Sequence, residues 1–426
     1  MSKALPSGSQ WVTVWAASAQ GAYPVGSTIA QPDLSRALPE ATQGLVNQSL
    51  RMVLKPALWS TRFRLRLSNR FGDKPLLLRG MSLGLHMGGG ALVPGTRIAL
   101  PDQTIAAGSF EWTPAVEWAA LPESPQSVQG RSLAFSAWVE GASGPITWHA
   151  KAMATSYLSK PGDQNAAVSD SELGFPHTTT SSFFIDALDA WLPAEVCALA
   201  AFGDSLTDGT ATTLNGYDRW TDVLQRELWA AGRQDVAVVN AGIGGNQVIG
   251  PAPGAGPWRG GPAATERLAR DVLDLSAVRT IFWLQGINDF SDNGKAEAAA
   301  VSEAMAHSVQ RMRAQGVRVI GATVPSALGS IRPGHGSQRQ DNRRRAFNTE
   351  VRKGVLFDDF VDLDLALTDP LTGKLHTAFN GDSTLGDPGD GVHPNRAGHA
   401  VMARFILQKL PWSQSRAHTT LGRAMT

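Results

Sequence analysis

From about Gln10 to Ile185, short runs alternate apolar and polar residues and are broken by Gly and Pro. Phe63-Arg64-Leu65-Arg66-Leu67-Ser68, Arg131 to Trp138 and Thr147-Trp148-His149-Ala150 have this form. A period of two over so few residues predicts half-buried antiparallel strands of a sandwich or barrel, with turns at Asn69-Arg70-Phe71-Gly72-Asp73 and Met87-Gly88-Gly89-Gly90. After Ala187 the pattern changes to wholly apolar runs separated by helical stretches, which predicts a parallel sheet covered by helices. The strand candidates are Val196 to Phe202, Val236 to Asn240, Thr280 to Leu284, Val317 to Ala322 and Phe360 to Leu363. Between them, Trp220, Val223, Leu224 and Leu228, and then Val301, Met305, Val309 and Met312, recur at helical spacing. The expected organisation is a β-rich, sandwich-like domain over residues 10–187 and an α/β domain with a five-stranded parallel sheet over 188–415. A chain of 426 residues is long for one core, which favours the same division.

Composition narrows the function classes. Apolar residues make up 42% and charged residues 18%, an ordinary globular balance. Lys and Arg number 38 against 37 Asp and Glu, so there is no net basic footprint for nucleic acid or an anionic membrane, and a neutral substrate suits the balance best. Arg332, Arg339, Arg343, Arg344 and Arg345 cluster between Ile331 and Arg345; the expectation is a solvated loop and helix face, with an anion site as the less favoured alternative. No apolar run is long enough to span a bilayer, and Met1 to Gln20 lacks the apolar core of a signal peptide. An export signal removed beforehand would leave no trace here, so secretion and the periplasm stay open. Oligomeric state is also open. Cys197 is the only cysteine, which rules out an intrachain disulfide and leaves the redox compartment undetermined. It sits at the start of an apolar strand and reads as a small buried hydrophobe. The 13 tryptophans could suggest a sugar-stacking platform, but tryptophan is largely buried on average and most should be core. No set of residues has metal-ligand spacing, and no cofactor is expected.

Four polar blocks follow the strand candidates. Ser205 lies in Gly203-Asp204-Ser205-Leu206, where a buried strand gives way to a helix, and ligands bind at such strand ends in open parallel sheets. The plainer reading of this block alone is a helix N-cap. Asn240-Ala241-Gly242-Ile243-Gly244-Gly245-Asn246 follows the second strand. Its glycines let backbone amides approach a ligand closely, with a plain tight turn as the alternative; a dinucleotide-binding loop fails, because Gln247 stands where the third glycine would be needed. Gly286-Ile287-Asn288-Asp289 follows the third strand and reaches the same sheet edge. Asp390-Gly391-Val392-His393 then precedes a helical run over Ala397 to Leu407. The three-residue spacing lets Asp390 fix the His393 tautomer while the other ring nitrogen faces Ser205. His399 reads as helix surface or packing. An α/β-hydrolase elbow is disfavoured, since Gly203-Asp204-Ser205-Leu206-Thr207 lacks the second glycine of that motif. His86-Met87-Gly88-Gly89-Gly90 reads as a turn in the β-rich half.

In this order the four blocks closely resemble the SGNH/GDSL hydrolase family over roughly Val196 to Leu410. The resemblance implies a three-layer α/β/α fold and cofactor-free hydrolysis of carboxylic esters. It also implies Ser205 as nucleophile, Asp390 and His393 as its triad partners, and an oxyanion hole from the Ser205 N–H, Gly245 and Asn288. Trp11 to Ser18 and Arg64 to Gly72 are similar to segments of bacterial two-domain members that carry a β-rich domain ahead of the hydrolase. The expected substrate is a small-molecule or glycan ester, cleaved through an acyl-enzyme, with deacetylation of carbohydrates and cleavage of small acyl esters both in range. The rival readings are an acyltransferase using the same site and a non-catalytic carbohydrate- or lipid-binding protein. All four blocks follow Ala187, so the chemistry is expected within the second domain, with turns such as Asn69 to Asp73 bordering the site and shaping access.

Overall fold

The computed structural model describes residues 8–119, 125–251 and 259–410. The start of the segment read for a signal peptide, residues 1–7, and residues 411–415 of the expected second domain lie outside these, as do Trp258 and Trp412.

The β-rich part is organised around two antiparallel sheets. In a five-stranded sheet, Ser9–Ala16 pairs with Ile185–Pro193, which pairs in turn with Arg62–Ser68. In an eight-stranded sheet, Leu133–Ala142 lies between Val46–Leu54 and Leu76–Gly88. The alternation has a direct outcome: Phe63, Leu65 and Leu67 are buried in one cluster with Leu50, Leu83 and Phe135 of the other sheet. The intervening arginines do not face open water. Arg66 pairs with Asp186 at 2.6 Å, and Arg64 pairs with Asp189 at 2.8 Å. This polar face packs against the α/β part, where Ser276 Oγ donates to Asp189 at 2.7 Å and the Ser276 N–H donates to Thr13 Oγ1 at 2.8 Å. The strand containing Ala187 runs on to Pro193 within this sheet, and the next strand begins at Cys197. We therefore propose that the two parts divide at residues 194–196 rather than at 187.

Five parallel strands form the second part, in the spatial order Val236–Gly242, Cys197–Gly203, Val278–Leu284, Arg318–Ala322, Asp359–Val361. The first crossover moves to one side of Cys197–Gly203 and the second to the other, so the order reverses at the end of the strand that carries Ser205. The helices Trp220–Ala230 and Arg396–Lys409 pack on each other, as do Ala298–Ala314 and Gln338–Arg352. Trp220, Leu224 and Leu228 of the first and Val301, Met305, Val309 and Met312 of the third join one core with the sheet.

Three local expectations are corrected. Leu363 does not end the fifth strand but opens a short helix, Leu363–Leu367, capped by Asp362. The arginine-rich segment is not simply a solvated face: Ser337 caps the helix Gln338–Arg352, whose buried Arg344 pairs with Asp341 at 2.7 Å and Asp364 at 2.6 Å. Arg343 pairs with Glu297 at 2.8 Å. Cys197 is partly rather than fully buried. His399 is wholly buried, and its Nδ1 accepts from the Trp220 N–H at 3.1 Å.

Candidate active site

Ser205 opens a one-turn helix, Ser205–Asp208, directly after its strand. Asp204 is the N-cap, accepting from the Leu206 N–H at 3.0 Å, so the cap falls on the residue before Ser205, while Ser205 itself lines a cleft. The loop 390–393 is folded by its own aspartate. Asp390 Oδ1 accepts from the Val392 N–H at 2.9 Å and the His393 N–H at 3.0 Å. Its Oδ2 lies 2.6 Å from His393 Nδ1, and His393 Nε2 lies 2.8 Å from Ser205 Oγ. A carboxylate only accepts, so Nδ1 carries the proton and Nε2 is left as acceptor for the hydroxyl.

Electrostatics favours that arrangement. Burial pushes the His393 imidazole below its ordinary range, and the hydrogen bond it donates to Asp390 only partly restores it. For Asp390, burial alone would raise the carboxyl, but the bond and charge of His393 with two backbone N–H groups outweigh it and hold it well below the usual carboxylate range. His335, in the same cleft, is pushed down to about 4 by burial and by the neighbouring His393. Beneath the site, burial pushes Asp204 and Asp289 up to about 7.

The two other expected donors line the same cleft, which has a volume of about 570 Å³. Gly245 has φ +83°, in the left-handed region that glycine adopts without strain. Asn288 stands on the short helix Ile287–Phe290, and its Nδ2 donates to the Asn246 carbonyl at 3.0 Å. That bond orients the amide and leaves its second N–H for a cleft ligand.

The floor is held by residues that carried no local sequence signal. Buried Arg267 donates to the carbonyls of Gly203 at 2.7 Å and Ala241 at 2.9 Å, and to Asn246 Oδ1 at 2.9 Å. It also pairs with Asp271 at 3.1 Å. The β-rich part enters the cleft as well, through Ser27 and Lys151. Lys151 Nζ donates to Thr210 Oγ1 at 2.7 Å, and His149 Nε2 stands 3.1 Å from Asp208 Oδ1. The turn 69–73, expected to border the site, does not: Arg70 and Phe71 line a separate cleft of about 500 Å³ with Glu266 and Arg270. His86 Nε2 contacts the Gly89 carbonyl at 2.8 Å across a turn.

Residues 201–401 match the model of the GDSL-like Lipase/Acylhydrolase family. The chain carries a GDSL-like lipase/acylhydrolase domain. No curated protein matches the chain. Among solved structures, a lipase/acylhydrolase from Enterococcus faecalis is 24% identical, with 50% of this chain and 94% of that one covered and a TM-score of 0.37. A carbohydrate acetylesterase from Sinorhizobium meliloti is 16% identical, with 50% and 97% covered and a TM-score of 0.37. An acetyl xylan esterase is 22% identical, with 51% and 98% covered and a TM-score of 0.36. Ser205, Gly245, Asn288, Asp390 and His393 all fall inside the GDSL-like domain, whereas Ser27 and Lys151 reach its cleft from outside it. Among the described residues, no helix is long and apolar enough to cross a membrane.

Proposed function

We propose that the chain is a serine esterase that hydrolyses carboxylic esters through Ser205, His393 and Asp390. The observation that carries this reading is the continuous hydrogen-bonded series from Asp390 through His393 to Ser205 Oγ, at 2.6 and 2.8 Å, at the wall of an open cleft. His393 Nε2 takes the hydroxyl proton as Ser205 Oγ bonds to the ester carbonyl carbon, and the carbonyl electron pair moves onto oxygen. The backbone N–H groups of Ser205 and Gly245 and the free N–H of Asn288 receive that oxyanion. Its collapse breaks the bond to the alcohol, which leaves with the proton from His393. Water then enters, loses a proton to His393 and attacks the acyl-enzyme, releasing the acid and restoring the Ser205 hydroxyl. A volume of about 570 Å³ suits small acyl esters and acetylated sugar units.

The test is a fluorophosphonate probe combined with Ser205→Ala. The phosphorus should add to Ser205 alone in the parent protein, seen by peptide mass spectrometry, and the folded alanine variant should lose nearly all hydrolysis of 4-nitrophenyl acetate. Parent-level hydrolysis in that variant would overturn the reading.

A further inference from the structure

The balanced net charge of the chain pointed to a neutral substrate, yet the lining of the cleft is not balanced. Lys151, Arg259 and Arg332 line it beside Ser205, and no Asp or Glu does so among the described residues. Of the three, Arg332 alone is in an ion pair among the described residues, with Asp390 at 3.4 Å.

Lys151 is the informative one. Only 3% of it is exposed, and no carboxylate is in ion-pair contact with it among the described residues. Asp208, whose charge also acts on Lys151, accepts from the Gly244 N–H through Oδ2 at 2.7 Å, and its Oδ1 lies 3.1 Å from His149 Nε2. An ammonium has three donors, and the bond to Thr210 Oγ1 uses one. The ammonium lies close over Gly244: a Cβ there would stand 2.6 Å from Nζ, so a side chain at this position would require the ammonium to shift. Burial and the Arg332 guanidinium both push the Lys151 ammonium below its ordinary range, against the pull of Asp208 and Asp390. A buried charge short of partners is costly, and an anion arriving in the cleft would relieve that cost.

We propose that this cleft selects esters bearing a carboxylate in the same molecule as the scissile bond, with Lys151 Nζ as the principal contact and Arg259 and Arg332 drawing the anion in. The proposal rests on the esterase reading for its reaction, but the anion subsite has its own readout. It also gives the β-rich part a role in selection, since Lys151 comes from outside the GDSL-like domain.

Two matched pairs place the carboxylate on either side of the ester. 4-Acetoxybenzoate against 4-acetoxybenzamide puts it on the alcohol; mono-4-nitrophenyl succinate against 4-nitrophenyl butyrate puts it on the acyl group. The full-length enzyme should favour the anionic member of at least one pair by about tenfold or more in kcat/KM, and added salt should erode that ratio. In Lys151→Met, or in Lys151→Gln should the first variant melt early, the ratio should fall toward one. A ratio near one in both pairs for the parent enzyme would overturn the subsite, and so would an unchanged ratio in the Lys151 variants. If no member of either pair is hydrolysed, the esterase reading fails. Calorimetry on Ser205→Ala then decides the subsite alone. Tighter binding of 4-acetoxybenzoate than of the amide, lost on adding Lys151→Met, sustains it; equal binding overturns it.

Discussion

Arg267 Nη2 donates to the carbonyl of Gly203 at 2.7 Å, two residues ahead of Ser205. The same guanidinium holds the end of the neighbouring strand at Ala241 and stacks over the Phe202 ring at 4.3 Å. One buried cation thus sets the relative position of the two strand ends that carry Ser205 and the Gly245 loop. Arg267→Leu removes it and leaves Asp271 buried with one partner fewer. Loss of one partner from a buried ion pair costs about 3–5 kcal/mol. Urea unfolding should show a fall of that size with an unchanged slope. A fall below about 1 kcal/mol would mean that these contacts are replaced by water at little cost.

Removing His393 should cost about as much as removing Ser205, because groups that act as one unit are non-additive. Losses in kcat of about 10⁶ are expected for His393→Ala and about 10⁴ for Asp390→Ala. Single-turnover kinetics on 4-nitrophenyl acetate would measure both. A His393→Ala enzyme within tenfold of the parent would remove it from the chemistry.

Asn288→Ala should lower kcat by about 10²–10³ with little change in KM, since a donor aimed at developing charge acts mainly in the transition state. The existing bond from Nδ2 to the Asn246 carbonyl, at 3.0 Å, makes a second outcome readable. If KM rises while kcat holds, the amide serves to shape the loop or bind substrate rather than to meet an oxyanion.

The parts of this molecule that were legible in the sequence are those whose signal is local. Trp220, Leu224 and Leu228 share a helix face within a few residues, and Asp390 with His393 share one loop, so spacing alone brings them together. Strand periodicity could show that Arg64 and Arg66 lie opposite Phe63 and Leu65, but not what covers them. The α/β part does, and a face that looks solvated in sequence is an ion-paired interface. Arg267 reaches Gly203 across 64 positions, and Lys151 reaches Thr210 across 59. No periodicity links such residues. The nearest thing to a signal for Lys151 is Gly244, where a Cβ would stand 2.6 Å from the ammonium, and that closeness is visible only in the structure.

The pH dependence follows from the direction in which burial moves His393. Its folded-state value lies below 6.5, so the neutral base persists as pH falls to that point, and kcat/KM should decline only below it. Asp390 contributes with the opposite consequence for stability. Its carboxyl is held below the unfolded range, so its stabilisation is present above that range and is lost as pH falls below it toward the depressed folded-state value. Asp204 and Asp289, raised to about 7, add stability at low pH that disappears as pH rises from the ordinary carboxylate range toward 7. A kcat/KM profile whose acid limb lies above pH 6.5 would contradict the assignment of His393 as the buried base.

The β-rich part should matter for rate as well as for selection, and His149 separates the two. Its Nδ1 donates to the Ser18 carbonyl at 2.8 Å, and its Nε2 stands 3.1 Å from Asp208 Oδ1, at the end of the turn that begins with Ser205. His149 is absent from the cleft lining, so it can act only by positioning that turn. His149→Leu should cost about 1–3 kcal/mol of stability for buried polar groups left unmet. Displacement of reacting groups by a fraction of an ångström is expensive, so kcat should fall between about tenfold and a hundredfold. The fall should be equal for 4-acetoxybenzoate and 4-acetoxybenzamide, because nothing in this contact senses substrate charge. Unchanged kcat with lowered stability would reduce His149 to a strut between the two parts, and a selective loss on the anionic ester would place it with Lys151 in the subsite.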